Sequence, residues 1–147
     1  MGKRMTLVTI TTSRGFEAAH RQLHDTGKCS VLHGHNWVVD ITLIGTPDPH
    51  VGYVIDLKDI HGVIDQLDHT TMLHRDDPLV EVLYHYDQKV VVFSVNATCE
   101  NLCEIIANRI EAIASKRNVR LSYLKVTVHE NSHSNAFIER TFSKHVR

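Results

Sequence analysis

The stretch HNWVVDITLIGTPDPH, His35–His50, sets an aromatic residue in a run of Val, Ile and Thr and then breaks at Gly45, Pro47 and Pro49. Aromatic and β-branched side chains suit a pleated strand, and a Gly/Pro cluster ends one. The expectation is a strand over about residues 34 to 45. Upstream, MTLVTITTSRGFEAAH (Met5–His20) alternates apolar residues with Thr before Phe16 and small residues. This predicts a second strand, over about residues 5 to 19, that delivers His20 at its end. The polar RQLHDTGKCS between them, with its glycine, reads as a loop, so the two strands form a long antiparallel hairpin.

Working outward toward the C-terminus, VIDLKDIHGVIDQLDH carries Ile55, Leu57, Ile60, Val63, Ile64 and Leu67 near helical spacing behind Asp56, an N-cap residue. That is a helix over about residues 57 to 67. After a polar stretch holding Pro78, KVVVFSV reads as a short strand. NATCENLCEIIANRIEAIASKRN places Leu102, Ile105, Ile106, Ile110 and Ile113 on one face, with Thr98 and Asn101 or Glu100 available for capping, and predicts a helix over about residues 99 to 117. LSYLKVTVHENSHSNAFIERTF alternates on both sides of a polar ENSHSN, as a hairpin should. The order predicts an α+β fold: a four-stranded antiparallel sheet with two helices on one face. The sheet's other face then needs cover, which oligomerisation supplies.

A chain of 147 residues fits one domain, residues 1–147, with a proper core. With 42% hydrophobic and 22% charged residues and a formal charge of −1, composition argues for a globular chain and against nucleic-acid or membrane partners. The opening MGKRMTLVTITTSRGF lacks the apolar core and cleavage site of a signal peptide, so cytoplasmic residence is expected. The three cysteines, Cys29, Cys99 and Cys103, form no paired framework and read as free thiols.

The anomaly is twelve histidines. In CSVLHGHNW (Cys29–Trp37), His33 and His35 lie two apart on an extended segment and so share a face, with Gly34 allowing close backbone approach. They address one metal ion together or are simply solvated. His20 is placed to be a third nitrogen ligand, and His24 is its rival; three imidazoles with an open fourth position is a catalytic zinc arrangement. His50, His61, His74, His85, His133 and His145 read as surface residues. Cys29, beside Lys28 in a polar loop, is either a reactive thiolate or an inert small residue, while Cys99 and Cys103 read as packing residues of their helix. Asp68 and His69 follow the first helix and form either a carboxylate–imidazole proton shuttle or a turn. Glu130 and Glu100 offer carboxylates that, if buried, accept the paired N–H donors of an amino-pyrimidine edge, and otherwise are solvated charges.

Six motifs in order, FEAAHRQL, CSVLHGHNW, GYVIDLKDI, LDHTTML, NATCENLCEIIANRI and VTVHENS, resemble the 6-pyruvoyltetrahydropterin synthase family, which includes the 6-carboxytetrahydropterin synthases of queuosine biosynthesis, over about residues 7 to 140. The resemblance implies a tunnelling fold (T-fold) in which trimers close their sheets into a barrel and pairs of trimers stack as hexamers, with active sites between subunits. It implies Zn2+ ligands at His20, His33 and His35, a catalytic thiol at Cys29, and acid/base partners at Asp68 and His69. It also implies a pterin-anchoring carboxylate at Glu130, with Thr98 and Glu100 shaping that pocket. The implied substrate is 7,8-dihydroneopterin triphosphate, whose leaving group wants cations such as Lys28 or Arg21. The three residues between Cys29 and His33 match the carboxy-forming branch, which releases acetaldehyde and triphosphate. The alternatives are the pyruvoyl-forming lyase and a noncatalytic pterin-binding member. Two departures from the family pattern are Ala97, where Pro is common, and a long segment from His74 to Val95.

Overall fold

The computed structural model describes residues 5–143; His145 and the first four residues lie outside them. The predicted N-terminal hairpin is present as β1 (Val8–His20) and β2 (His33–Gly45), paired antiparallel from Val8 opposite Gly45 to His20 opposite His33. It is followed by α1 (Leu57–Asp65), β3 (Thr70–His74), α2 (Leu79–His85), β4 (Val90–Phe93), α3 (Cys99–Lys116), β5 (Leu121–His129) and β6 (Asn135–Thr141).

The sheet differs from the expectation of four antiparallel strands and two helices. Six strands run in the order β4-β3-β1-β2-β5-β6, and there are three α-helices among the described residues. Strand β3 lies parallel to β1, with Ala18 opposite Thr70 and His20 opposite Met72, and β4 lies parallel to β3. A strand between parallel neighbours is buried on both faces and shows no alternation. Met72 and Leu73, adjacent in sequence, are both fully buried. The seven-residue α2 is too short to display a period, and it buries only Val80 while Val82 and Tyr84 stay exposed. The long His74–Val95 segment is therefore spent on α2 and an edge strand.

The elements with clear periodicity form where expected. Asp56 caps α1 by accepting from Lys58 N at 2.9 Å, and α1 ends at Asp65, earlier than its pattern implies. Thr98 caps α3 by accepting from Asn101 N at 3.2 Å. Helix α3 packs against β5 and β6, and its Leu102, Cys103, Ile106 and Ile110 share one core with Trp37, Val39, Ile41 and Leu43 of β2 and Leu124, Val126 and Val128 of β5. Removing a large side chain from this layer, as in Ile106→Ala, costs about 2–5 kcal/mol through lost burial and the cavity left behind. Alternation in β2 and β5 sends Asp40, Thr42, Lys125 and Thr127 to the opposite face, which also carries the exposed Phe137 of β6, with Lys125 Nζ 4.2 Å from its ring centroid. No helix is long and apolar enough to cross a membrane among the described residues.

Candidate functional site

The period of two in β2 that buries Trp37 also turns His33 and His35 toward the helix-covered face, where the end of β1 supplies His20. His20 is fully buried, and its Nδ1 donates to the Ala97 carbonyl at 2.7 Å. His33 Nδ1 donates to the Val31 carbonyl at 2.6 Å. A carbonyl only accepts, so each ring carries its proton on Nδ1 and turns an Nε2 lone pair inward. These two Nε2 atoms face each other at 3.1 Å. Burial holds His20 below the ordinary imidazole range despite the Ala97 contact, a shift that favours the neutral ring.

His35 completes the group. Its Nε2 is buried and has no hydrogen-bond partner, although Glu130 Oε1 lies 2.7 Å away. Two lone pairs in opposition and an orphaned buried nitrogen are costly unless a cation sits among them. His20, His33, His35 and Glu130 bring one ligand atom each within 4.8 Å of one another, a donor set that suits a borderline divalent ion. The indole of Trp37 stands edge-on to both His20 and His35, with centroids 4.9 and 5.4 Å apart, and walls the cluster with apolar surface.

His24, the rival third histidine, lies outside this cluster on an exposed left-handed turn. Gly34 is not needed for close backbone approach: a Cβ there would stand 3.6 Å from the Ala18 carbonyl oxygen, an ordinary contact. Instead, its bare backbone lines the grooves on both sides of His35.

Asp68 and His69 do meet, with Asp68 Oδ2 and His69 Nδ1 2.9 Å apart. The backbone of Glu17 holds the pair in place, since Asp68 Oδ1 accepts from Glu17 N at 2.8 Å and Glu17 O accepts from His69 N at 2.7 Å. Those contacts, the Glu17 amide first and His69 second, hold the Asp68 carboxyl below its usual range. His69 takes a left-handed φ of 55° and leaves its ring exposed, where it shares an open groove of about 450 Å³ with His35, Glu17 and Asn36. A second groove, about 670 Å³, runs from His35 past Glu130 to Asp40 and His129.

Cys29 is half-buried in a short 3-10 turn, Lys28–Ser30. Its carbonyl accepts from Gln22 N at 2.7 Å, and the turn leads into Val31, the residue that orients His33. Arg21 is not a free cation: it forks onto the buried carboxylate of Asp77 at 2.7 and 2.5 Å. Lys28 remains exposed. Thr98 is the α3 cap and Glu100 is exposed on the first turn of that helix.

Several supporting residues escape a reading by motif. Asn96 clamps the loop after β1, accepting from Leu23 N at 2.9 Å and donating to Leu23 O at 3.0 Å. Ala97 serves through its carbonyl, a group proline retains, so its departure from the family pattern removes no acceptor. Cys99 Sγ lies 4.0 Å from Glu130 Oε2, and burial together with that carboxylate pushes its thiol up to about 11. The only sequence signal for Asn96 is its place just before the α3 cap.

The family description "6-pyruvoyl tetrahydropterin synthase" matches residues 9–141. A protein of Rickettsia bellii named 6-carboxy-5,6,7,8-tetrahydropterin synthase is 32% identical over 111 residues, spanning 71% of this chain and 80% of the relative. Among solved structures, the Caenorhabditis elegans 6-pyruvoyl tetrahydropterin synthase is 28% identical with a TM-score of 0.64, covering 95% of this chain and 100% of that one. The Plasmodium vivax enzyme of the same name shares the fold at a TM-score of 0.70 and 23% identity, covering 93% and 99%. With the match running from the second residue of β1 to the end of β6, the chain belongs to the 6-pyruvoyl tetrahydropterin synthase family.

Proposed function

We propose that the protein is a zinc-dependent 6-carboxy-5,6,7,8-tetrahydropterin synthase that converts 7,8-dihydroneopterin triphosphate to 6-carboxytetrahydropterin, acetaldehyde and triphosphate. The observation that carries this reading is the convergence of His20, His33, His35 and Glu130, with His35 lining both grooves, Glu130 one of them and His69 the other. The choice of branch is supported by the three residues between Cys29 and His33 and by the names of the Rickettsia relatives.

In this reading His20, His33 and His35 hold the zinc, which when bound polarises the side-chain oxygens of the substrate and acidifies the adjacent carbon. Glu130 accepts the N–H donors of the pterin edge, with Thr98 and Glu100 at the margin of that pocket. Cys29 as thiolate takes or relays the proton from the activated carbon. His69, oriented through Nδ1 by Asp68, exchanges protons as the side chain rearranges and the triphosphate departs. Trp37 keeps water away from the buried side of the cluster. With Arg21 committed to Asp77, Lys28 remains as the cation for the triphosphate, alongside basic groups of a neighbouring subunit.

The same reading makes the chain a single pterin-synthase unit that assembles as a trimer or hexamer. Support comes from the unpaired outer edges of β4 and β6 and from the exposed Phe137 on the sheet face without helices. Three free cysteines fit residence in a reducing cytoplasm. Mass identification of products from 7,8-dihydroneopterin triphosphate is the test. Acetaldehyde with 6-carboxytetrahydropterin is expected, a retained three-carbon side chain selects the pyruvoyl-forming alternative, and unchanged substrate selects a noncatalytic pterin binder.

A further inference from the structure

Glu130 follows β5, and its amide donates to Ser134 O at 3.1 Å, so the turn into β6 fixes its backbone beside the histidines. Its two carboxylate oxygens face different partners. Oε2 accepts from Cys99 Sγ at 4.0 Å, which leaves Oε1 aimed into the imidazole cluster. Oε1 lies 2.7 Å from His35 Nε2 and 3.8 Å from His20 Nε2, and the His20 and His33 Nε2 atoms are 3.1 Å apart. Ligand atoms bonded at about 2.0–2.1 Å to a single tetrahedral ion are spaced about 3.3 Å apart. The three separations bracket that value, and all four ligand atoms lie within 4.8 Å of one another, spacings that suit Oε1 as a fourth ligand beside the three imidazoles.

We propose that Glu130 is the fourth ligand of the metal in the pterin-free protein, and that a bound pterin ring draws it off. This rests on the reading of His20, His33 and His35 as metal ligands and of Glu130 as a pterin anchor, and it joins the two. An anionic oxygen offsets half the charge of a divalent ion in a pocket walled by Trp37, which three neutral imidazoles cannot do. Because the paired N–H donors of a pterin edge take both oxygens of the carboxylate, Oε1 cannot stay on the metal while that pairing forms, so pterin binding and metal coordination oppose each other at this residue. By linkage, the opposition is mutual.

The test loads wild type, Glu130→Ala and Glu130→Gln with Co2+, whose visible absorption reports the ligand set, and measures Zn2+ affinity by chelator competition. One ion per chain is expected in all three. Both variants should show a changed Co2+ spectrum and Zn2+ binding weakened by about tenfold or more. The pterin probe is 6-methylpterin, which lacks side-chain oxygens. It should shift the wild-type spectrum toward that of Glu130→Ala and bind metal-free wild type more tightly than the loaded form. Variants with wild-type spectra and affinities overturn the fourth-ligand assignment while leaving the histidine site standing. An unshifted wild-type spectrum with equal 6-methylpterin affinity in both forms overturns the exchange. If wild type binds no ion, the three-histidine reading itself fails. If 6-methylpterin binds neither form, the pterin-anchor reading fails and takes the exchange with it.

Discussion

Replacing Asp77 with alanine should destabilise the protein by about 3–4 kcal/mol, a figure that follows from what its carboxylate holds. Oδ2 and Oδ1 accept from Arg21 Nε at 2.7 Å and Nη2 at 2.5 Å, and Oδ1 also accepts from Leu79 N at 2.9 Å in the first turn of α2. Removing one partner of a buried ion pair costs about 3–5 kcal/mol, because the other charge is left without compensation. Arg21 keeps 24% of its side chain exposed and can partly rehydrate, which places this contribution at the low end. Loss of the acceptor at the helix start adds about 1 kcal/mol. For 147 residues the sum corresponds to a fall in Tm of about 6–16 °C, readable by circular dichroism. Asp77→Asn keeps the Leu79 acceptor and should lose about 2–3 kcal/mol.

The pH dependence of this contribution has a definite sign. Arg21 first, and the Leu79 amide with it, hold the Asp77 carboxyl below its usual range in the folded protein. A depressed folded value contributes stability above the unfolded carboxylate pKa of about 4, and that stability is lost as pH falls through the folded value. The gap between wild type and Asp77→Asn should therefore hold from pH 7 to about pH 5 and narrow in more acidic solution. A loss below about 1 kcal/mol for Asp77→Ala, or a gap that widens on acidification, refutes the assignment.

Cys29→Ala should abolish turnover while metal content and pterin binding persist; near-wild-type turnover removes the thiol from the mechanism. His33→Ala should lose bound zinc in elemental analysis of the purified protein, and unchanged metal content rejects that ligand. Thr98→Ala removes the α3 cap and should cost about 1 kcal/mol, or about 2–4 °C in Tm, without loss of metal. A Tm unchanged within error would mean that the Asn101 amide finds water instead.

Periodicity carried as much of the fold as local sequence can show. The long hairpin, α1, α3 and the C-terminal hairpin each bury one face and expose the other, so their patterns survive in the order of residues. Strand β3 is buried on both faces and α2 on almost none, so neither leaves a pattern to read. The His33/His35 pair was legible for the same reason as β2, since a period of two puts both rings on the face of Trp37. The sequence could not choose between Lys28 and Arg21 as a cation for the triphosphate, because the partner of Arg21, Asp77, lies on the far side of β3 in sequence and reaches it only through tertiary packing.

Local order in the chain determined which segments alternate, which coil, and which residues bring imidazole, thiol and carboxylate chemistry. Those properties depend on neighbours two to four positions away. The tertiary structure alone decided the rest: that His20 is oriented by the Ala97 carbonyl, that Asp68 and His69 are clamped by the Glu17 backbone, and that Glu130 turns one oxygen toward His35. Each of these contacts joins elements far apart in the chain, and its geometry is set by strand register and helix packing, which no local pattern encodes.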